Sequence, residues 1–326
     1  MEVAGMLVRL NQVLGRMMPL ITPFSVLLGV LLAAYLKDFT FLVPWVFAVM
    51  TFAGSLSSTF SALKHTVMHP LPLILSFMIL HVLMPLYAWS AGHLIFAGDA
   101  MTITGLTLAM VIPTGVSSLI WAAMYKGNVG LTLSIILIDT LLSPLIVPAS
   151  LSVLAGTQVH MDIVAIMKGL FGMIVLPSIL GMLVRQYAKP SMTKMISQTL
   201  SPFSKIGLFV VVSINSSVVA PYLRELNAAF FSKAATVFVI AMSGYAFAWL
   251  IGKAMKCTQG EIVAIVYTGG MRNISAGAVL ATSFFPPAVA VPVVIGMLFQ
   301  QVLAALFGFL LNRFELKAPA VTNSLS

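Results

Sequence analysis

Two ionisable residues lie deep inside hydrophobic stretches of this sequence. Asp139 lies in the middle of LSIILIDTLLSPL, and Arg272 lies within GGMRNISAG. A carboxylate in such a place can bind and release a proton, whereas a guanidinium can neutralise an anion or stand where a cation would otherwise bind. Because an isolated buried charge is unfavourable, we expect Asp139 and Arg272 to pair or to share a polar cavity. A purely structural ion pair between helices is the alternative.

Two interruptions of the hydrophobic pattern bring polar groups close to these charges. Pro113-Thr114-Gly115 breaks one stretch, and Gly269-Gly270-Met271-Arg272-Asn273 breaks another. The N–H groups that follow Thr114 would begin a new half-helix, and its positive dipole end suits a carboxylate. A single Ser or Thr in a membrane helix usually bonds its own backbone. The prediction of a site therefore depends on the clustering of the polar residues Thr114, Ser117, Ser118, Thr132, Ser134, Thr268, Asn273, Ser275, Gln300 and Gln301.

Other chemistry has little support in the sequence. His81 precedes Met84-Pro85 in a further hydrophobic stretch and is either a packing residue or a ligand. No Walker loop, H-E-x-x-H or G-x-S-x-G motif is present, so ATP-driven pumping and hydrolase-type catalysis by this chain are not indicated. The single Cys257 excludes an internal disulfide and a zinc site built from several thiolates. We expect neither a cofactor nor an enzymatic activity.

The elements that position these residues are hydrophobic helices. Hydrophobic residues make up 60% of the chain and charged residues 8%, with a mean hydropathy of +1.08, whereas soluble domains carry about 25% charged residues. About 20 apolar residues span a bilayer. We predict ten transmembrane helices with short loops and no cleaved signal peptide, over residues 17–36, 40–62, 71–95, 101–125, 128–155, 163–187, 203–221, 228–254, 259–284 and 287–312.

The basic residues predict how these helices are oriented. The formal net charge is +9, but no basic run is present that could follow a nucleic-acid backbone. Lys and Arg are enriched in cytoplasmic segments of membrane proteins. With the N-terminus inside, twelve basic residues fall on the cytoplasmic side and four on the other, so we expect both termini in the cytoplasm. The cytoplasmic set is Arg9, Arg16, Lys64, Lys126, Arg185, Lys189, Lys194, Lys205, Lys253, Lys256, Arg313 and Lys317, and the outer set is Lys37, Lys168, Arg224 and Lys233.

Ten helices divide into two halves of five. An odd number of helices in each half would invert the second half relative to the first, as in many secondary transporters. We therefore predict one membrane domain with a first repeat at 1–160, an inverted second repeat at 161–313 and a polar tail at 314–326. The breaks fall in the fourth helix of each half, and interrupted helices in matching positions point to a transporter's binding site. Two ordinary membrane-helix kinks are the alternative, since Gly and Pro are tolerated there.

The broken segments resemble a known family. Pro113-Thr114-Gly115-Val116-Ser117-Ser118, Lys126-Gly127-Asn128 and Leu131-Thr132 resemble the helix 4–5 signature of the bile acid:sodium symporter family, and Thr268-Gly269-Gly270-Met271-Arg272-Asn273 resembles its helix 9 signature. With Met84-Pro85 and the ten-helix layout, the resemblance covers nearly the whole chain. The GGMRNISAG form looks most like the bacterial branch associated with ketopantoate, pantoate and pantothenate.

This resemblance implies a particular layout and set of ligands. Helices 1, 2, 6 and 7 would form a panel domain, and helices 3–5 and 8–10 a core domain in which the broken helices 4 and 9 cross at mid-membrane. Family members bind two sodium ions behind that crossover and an organic anion in front of it. On the anion side, the resemblance implies Gly115, Val116, Asn273 and Gln301. The polar and charged residues at the breaks add Ser117 and Arg272 to the predicted substrate-binding set.

The cation side departs from the family pattern. Ser118 keeps a serine, and Thr132 replaces another hydroxyl ligand. Thr268 takes the place of a Glu shared by both sodium sites, and Arg272 takes the place of a Gln. At three further positions this chain has an apolar residue where the family has a polar one. Leu119 stands in place of an Asn, Ile136 in place of a Thr, and Leu80, next to His81, in place of a Gln. We hypothesise that the guanidinium fills the second sodium site, with Asp139 as its counter-charge. The first site would either remain in weakened form at Ser118, Thr132 and Thr268 or be replaced by proton coupling through Asp139, and His81 is a further candidate for ion coupling.

The sequence therefore predicts a monomeric secondary transporter in the lipid bilayer. It would carry a small organic anion, such as a pantoate- or pantothenate-like carboxylate, by alternating access with sodium or proton coupling. A passive channel or uniporter is the alternative function. A channel should show a polar stripe along whole helices, whereas the polar residues here are concentrated at two mid-helix points. An integral-membrane enzyme would need a nucleophile with a base or a metal cluster, and the sequence offers neither.

Overall fold

The computed structural model describes residues 2–56, 70–156, 161–225 and 227–314, and these residues are almost entirely helical. The helices are α1 (Glu2–Leu31), α2 (Ala33–Ser55), α3 (Pro70–Ile95), α4 (Ala100–Val111), α5 (Ser117–Met124), α6 (Val129–Leu154), α7 (Ile163–Tyr187), α8 (Pro190–Val218), α9 (Ala228–Ala254), α10 (Gln259–Gly270), α11 (Ile274–Phe284) and α12 (Pro287–Phe314). A short helical turn, Ala220–Arg224, lies between α8 and α9.

Seven of the described helices are long and apolar enough to cross a membrane: α2, α3, α6, α7, α8, α9 and α12. Shorter apolar helices occur at Leu20–Leu31, in α4 and in α11. Large hydrophobic side chains are also exposed on the outside of the molecule, among them Trp45, Leu94 and Val153. An apolar exterior of this kind requires lipid as its solvent. The chain is a multi-pass membrane protein, as its composition predicted.

Three predicted helix boundaries were wrong. The first predicted helix began at residue 17 and the seventh at residue 203, whereas α1 begins at Glu2 and α8 at Pro190. Hydropathy detects the part of a helix that is solvated by lipid, so polar turns that extend a helix beyond the bilayer are missed. The predicted loop before residue 40 is instead a 3-10 turn, Lys37–Leu42, that lies within α2. Residues 57–62 of the second predicted helix, and the predicted tail beyond Phe314, lie outside the described residues.

Both predicted helix breaks are present. The fourth predicted helix consists of α4 and α5, separated at Ile112–Val116, and the ninth consists of α10 and α11, separated at Met271–Asn273. Pro113 causes the first break because it has no N–H to donate to the carbonyl of Ala109 one turn earlier. At the second break, the side chain of Asn273 accepts from the backbone N–H of Ala276 at 3.3 Å and so caps α11.

Two long helices contain a π-turn that precedes a proline. In α3 the π-turn is Ile79–Leu83, and the N–H of Met84 donates to the carbonyl of Ile79 ahead of Pro85. The same arrangement recurs in α7, where the π-turn Phe171–Val175 precedes Pro177. Because a proline cannot continue the normal hydrogen-bond ladder, the preceding turn widens. In α3 this wide turn carries His81.

The main helix contacts fall into two sets. Helix α1 packs along α8, and α2 packs against α7 and α8, whereas α4 packs against α3 and α12, and α9 packs against α10 and α12. Small residues allow close approach at these contacts: a Cβ added to Gly29 would lie 2.2 Å from the carbonyl oxygen of Ser213, and one added to Gly105 would lie 2.4 Å from that of Val289. Helix backbones that touch in this way are typical of membrane helix packing.

Candidate functional site

The two broken segments bind each other through their backbones. Thr114 and Arg272 form an isolated antiparallel bridge. The N–H of Gly115 donates to the carbonyl of Met271 at 3.1 Å, and the N–H of Asn273 donates to the carbonyl of Pro113 at 2.8 Å. Unwound backbone inside a membrane protein needs such partners because no water is present to replace the lost helical bonds. Each break therefore supplies the hydrogen bonds that the other one lacks.

The side chain of Thr114 strengthens this junction. Its hydroxyl lies 2.8 Å from the carbonyl of Thr268 and 2.9 Å from that of Met271, and it can donate to either. These carbonyls lie at the end of α10, where helical partners are missing. Gly115 is required on the other side, since an added Cβ would lie 2.9 Å from the carbonyl oxygen of Arg272. A hydroxyl followed by a glycine thus allows the two backbones to touch.

Asp139 is fully buried on α6 and supports the first break from behind. Its Oδ2 accepts a hydrogen bond from the backbone N–H of Thr114 at 2.6 Å. Its Oδ1 lies 2.9 Å from Nε2 of His81. That distance is short enough for an ion pair, but the ring orientation does not direct an N–H at the oxygen, and neither atom makes a well-aligned hydrogen bond with the described residues.

The expected pairing of Asp139 with Arg272 is not formed. Asp139 interacts with Arg272 only at longer range, since its two oxygens already contact Thr114 and His81. The two charges do not share a cavity either, because Arg272 lines the cavity described below and Asp139 does not. The prediction failed because it considered only the two charges, whereas the wide turn of α3 brings His81 to the carboxylate.

Arg272 is the largest fully buried side chain among the described residues, with 1% of its surface exposed. Its Nε, Nη1 and Nη2 atoms are all buried, and none has a hydrogen-bond partner in the described part of the chain. A buried cation with no partner is strongly unfavourable. A guanidinium presents several N–H donors in a planar fork that matches a carboxylate. The geometry therefore favours an anion as the missing partner.

A cavity of about 470 Å³ lies beside the two breaks. Its walls come from α1, α2, α5, α6, α7, α8, α11 and α12. Small-molecule sites in proteins usually enclose about 300–1,000 Å³, so the volume suits a small metabolite. All the residues predicted to bind the substrate line this cavity: Gly115, Val116, Ser117, Arg272, Asn273 and Gln301. The oxygen Oε1 of Gln301 also accepts a hydrogen bond from the indole N–H of Trp121 at 3.2 Å.

Sequence reasoning missed a polar face of α8 that forms another wall. Ser197, Ser201, Ser204 and Lys205 line the cavity. The Nζ of Lys205 donates to the backbone carbonyl and to Oδ1 of Asn11 on α1, at 2.7 and 2.6 Å. Lys205 and Arg272 are the charged residues among those that line the cavity, and both are cations. The spacing of three or four residues between the serines could have revealed this face, but the predicted helix began too late to include Ser197 and Ser201.

The predicted cation ligands belong to α5, α6 and α10, which pack against one another. The hydroxyl of Ser118 is buried and has no hydrogen-bond partner in the described ranges. The hydroxyl of Thr132 donates to the carbonyl of Asn128 at 2.9 Å, and that of Thr268 donates to the carbonyl of Ala264 at 2.8 Å. Each acceptor lies one turn earlier in the chain. Their oxygen lone pairs stay available to a cation. Ser134 likewise bonds the carbonyl of Gly130.

A sodium site at these residues would be built from neutral oxygens. Among the described residues, no group of three or more His, Cys, Asp or Glu side chains could hold a metal ion. The hydroxyls of Ser118, Thr132 and Thr268 provide neutral donors only, which suit a weakly bound monovalent cation better than a divalent one.

The fold and the site define a membrane transporter, with two interrupted helices joined beside a polar cavity inside an apolar helical protein. Residues 44–226 match the family model described as "Sodium Bile acid symporter family", which covers more than half of the chain. The chain belongs to this family. It is therefore a transporter of the symport type and not an enzyme.

Relatives with curated names support this assignment. The chain is 66% identical over 300 residues to "Uncharacterized protein YbaS" of Bacillus subtilis, a match that covers 92% of this chain and 98% of the relative. It is 26% identical over 247 residues to "Uncharacterized sodium-dependent transporter YocS" of the same organism, covering 75% and 74%. It is 23% identical over 276 residues to "Probable sodium/metabolite cotransporter BASS2, chloroplastic" of Oryza sativa, covering 83% and 65%.

Proposed function

We propose that this protein is a secondary transporter that binds a small organic anion at the junction of α4–α5 and α10–α11. The substrate class is a pantoate- or pantothenate-like carboxylate, carried by alternating access. The observation that carries the proposal is the buried guanidinium of Arg272, which has three nitrogens without a described partner at the cavity wall. A carboxylate there would restore both charge balance and hydrogen bonding.

Three further features favour an anion. Lys205 adds a second positive charge to the cavity. The N-terminal ends of the half-helices α5 and α11 border it at Ser117 and Asn273, and helix N-termini carry partial positive charge. The remaining polar lining consists mainly of hydroxyl and amide groups, which can bind the hydroxyls of a small metabolite. The electrostatic character of the cavity is thus complementary to a polar anion.

Sodium is the coupling ion that the family membership favours. The names of YocS and of the rice BASS2 protein describe sodium-dependent transport. In this chain, we place a sodium site at the hydroxyls of Ser118, Thr132 and Thr268. Its strongest support is the buried Ser118 hydroxyl, which has no hydrogen-bond partner among the described residues. The guanidinium of Arg272 takes the position of a second sodium ion, because the family resemblance gives a sodium ligand at that place.

The membrane layout that we propose has ten spans in two inverted repeats, with both termini in the cytoplasm of a bacterial inner membrane. The order of elements supports the repeat. Helix α3 has 26 residues and is followed by the broken pair α4–α5 and the 26-residue α6, whereas α9 has 27 residues and is followed by the broken pair α10–α11 and the 28-residue α12. The two sets of helix contacts favour a panel of α1, α2, α7 and α8 that packs against a core of the other helices. We propose that the transporter works as a monomer.

Counterflow in proteoliposomes tests the proposed function. Vesicles that contain the purified protein and unlabelled pantoate, pantothenate or taurocholate are diluted into the same labelled compound, with sodium or choline as the cation. Stimulation by substrate on the opposite side is expected of a carrier, whereas a channel would show none. Loss of uptake in choline would support sodium coupling.

Two substitutions of Arg272 sharpen the test. Arg272→Gln removes one charged hydrogen-bonding partner, worth about 1.5–3 kcal/mol, so uptake at low substrate concentration should fall by about ten- to a hundredfold. Arg272→Lys keeps the charge without the planar fork and should retain part of the activity. Lys194→Gln, at an exposed position on α8, is the matched control. Normal uptake by Arg272→Gln would exclude the guanidinium as the anion ligand.

A further inference from the structure

A second buried ionisable site lies next to the anion cavity but does not line it. It consists of His81 on the π-turn of α3 and Asp139 on α6, with Nε2 and Oδ1 at 2.9 Å. The His81 side chain is 11% exposed, and Asp139 is not exposed at all. Each of the two groups can bind a proton, the imidazole at a ring nitrogen and the carboxylate at an oxygen.

We propose that His81 and Asp139 form a proton-binding site that takes up one proton for each carboxylate bound beside Arg272, so that anion and proton move together. This inference depends on the proposed function for the anion. It adds a second coupling ion to the sodium expected from the family and assigns it to a pair of residues outside the cavity wall.

The hydrogen bonding of His81 favours a titrating role over a packing role. A histidine with a fixed structural role usually donates one ring N–H to a carbonyl or carboxylate, which holds it in one tautomer. Here Nδ1 is buried with no partner among the described residues, and Nε2 contacts Asp139 without good alignment. No hydrogen bond from the described residues therefore holds His81 in one tautomer. His93, on the same helix, provides the contrast, because its Nδ1 lies 2.9 Å from the carbonyl of Trp89.

The charge of Arg272 couples the two sites. Arg272 interacts electrostatically with Asp139, so its positive charge disfavours a proton on the His81–Asp139 pair. A carboxylate bound beside Arg272 offsets that charge and makes protonation of the pair more favourable. With Asp139 ionised and His81 neutral, one proton leaves the pair neutral, whereas a second would place a further positive charge near Arg272. Because the two groups are in contact, the pair binds that proton as a unit.

Few other charges can take over this role. Helices α4 and α5 carry no titratable residue. On α7, α9 and α10, which also pack against α3 or α6, the charged side chains lie elsewhere: Lys168, Arg185 and Lys253 are exposed, Lys233 pairs with Asp99, and Glu261 caps α10. Tyr267 on α10 donates to the carbonyl of Ala304 on α12. Among the described residues, Arg272 is thus the group that interacts with this pair electrostatically.

A direct route connects the proton site with the anion site. Oδ2 of Asp139 accepts from the N–H of Thr114, and the backbone of Thr114 pairs with that of Arg272. A hydrogen bond to an ionised carboxylate is about twice as strong as one to a neutral group. A change in the charge of Asp139 therefore changes how firmly the α4 break is held against the segment that carries Arg272. Both ring nitrogens of His81 are buried, so proton exchange with water requires the conformational change of transport.

The test uses vesicles with equal sodium on both sides, a membrane potential held at zero by potassium and an ionophore, and an imposed pH gradient, acidic outside. Labelled pantoate uptake and the internal pH, from a trapped dye, are measured together. One pH unit should drive about tenfold accumulation of a monovalent anion carried with one proton, with acidification of the lumen. In His81→Gln, counterflow should persist while accumulation falls to the equilibrium ratio. His93→Gln is the control and should behave as the unmodified protein does.

The outcomes separate the two proposals. If counterflow occurs but the pH gradient drives no accumulation, or if His81→Gln accumulates pantoate as well as the unmodified protein, the proton site is wrong and the carrier proposal stands. If no compound shows counterflow, the carrier proposal fails. In that case, infrared spectra of the purified protein at about pH 5 to 8 measure protonation of the His81–Asp139 pair without any transport assay. A carboxyl or imidazole band that titrates and disappears in His81→Gln supports the proton site, and its absence in the unmodified protein overturns it.

Discussion

The backbone N–H of Thr114 donates a 2.6 Å hydrogen bond to Oδ2 of Asp139, which lies on a different helix and is fully buried. This contact joins three parts of the molecule. Asp139 also contacts His81 on α3, and Thr114 pairs with Arg272 at the second helix break. The carboxylate thereby supports the unwound segment from one side, while the cavity opens on the other.

Removal of this carboxylate should destabilise the protein more than its neutralisation. Asp139→Ala leaves the N–H of Thr114 buried without an acceptor, at a cost of about 1–3 kcal/mol. Asp139→Asn keeps an oxygen that can accept the bond. Thermal unfolding of the detergent-solubilised protein should therefore show a clearly lower Tm for the alanine variant than for the asparagine variant. Equal Tm values for the two would mean that the Thr114 bond contributes little to the stability of the break.

Gly115→Ala should disturb the junction of the two breaks. The added Cβ would lie 2.9 Å from the carbonyl oxygen of Arg272, which is backbone and cannot move aside as a flexible side chain could. Overpacking of this kind costs about 1–3 kcal/mol. We expect lower thermal stability and reduced counterflow. Gly172→Ala, where an added Cβ meets nothing within 4 Å, is the control and should be close to neutral.

Two substitutions of Asn273 should separate its structural role from its place in the cavity. Its Oδ1 accepts from the N–H of Ala276 and caps α11. Asn273→Ala removes the cap, which costs about 1 kcal/mol. Asn273→Asp keeps an acceptor but adds a negative charge to the cavity wall beside Arg272. The aspartate variant should retain its Tm and yet bind the anion more weakly, seen as a higher KM for uptake. A lower KM would contradict an anionic substrate.

Lys205→Gln should weaken anion uptake less than Arg272→Gln does. Lys205 is only partly buried and is already held by Asn11, whereas Arg272 is buried without a described partner. Screening by solvent therefore reduces the contribution of Lys205 to the cavity potential. We expect a moderate rise in KM that becomes smaller at high ionic strength. An effect independent of ionic strength would point to a role in packing α1 against α8 instead.

The thiol of Cys257, in the loop between α9 and α10, should react slowly with maleimides. Burial raises the pKa of Cys257, and the nearby carboxylate of Glu261 raises it further, so less thiolate is present near neutral pH than in a free cysteine. Glu261→Gln keeps the hydrogen bonds that cap α10 but removes the charge, and it should partly restore the rate. Because Cys257 is the single cysteine, the rate of labelling as a function of pH reports the ionisation of this thiol alone. An unchanged rate profile in Glu261→Gln would leave burial as the whole cause.

Much of the architecture could be predicted from the sequence. Hydropathy depends on which residues lipid can solvate, and the composition alone required a membrane protein. Pro113 and the pair Gly269-Gly270 marked both breaks because proline and glycine act on the local backbone. Helix ends were less accurate, since α1 and α8 extend as polar helices beyond their apolar spans. The serines at the start of α8 that line the cavity were missed for the same reason.

The sequence by itself determined that two charged residues would be buried and that two helices would be interrupted, because burial and backbone breaks follow from local composition. The tertiary structure alone decided which groups meet. Asp139 contacts His81 instead of Arg272, since the π-turn before Pro85 presents His81 to α6. Arg272 has no partner in the described part of the chain and lies at a cavity wall that Lys205 also lines. Such choices depend on the packing of helices distant in sequence, which no local pattern encodes. The contact of Asp139 with His81 is the basis of the proposed proton site, and the buried guanidinium of Arg272 is the basis of the proposed anion site.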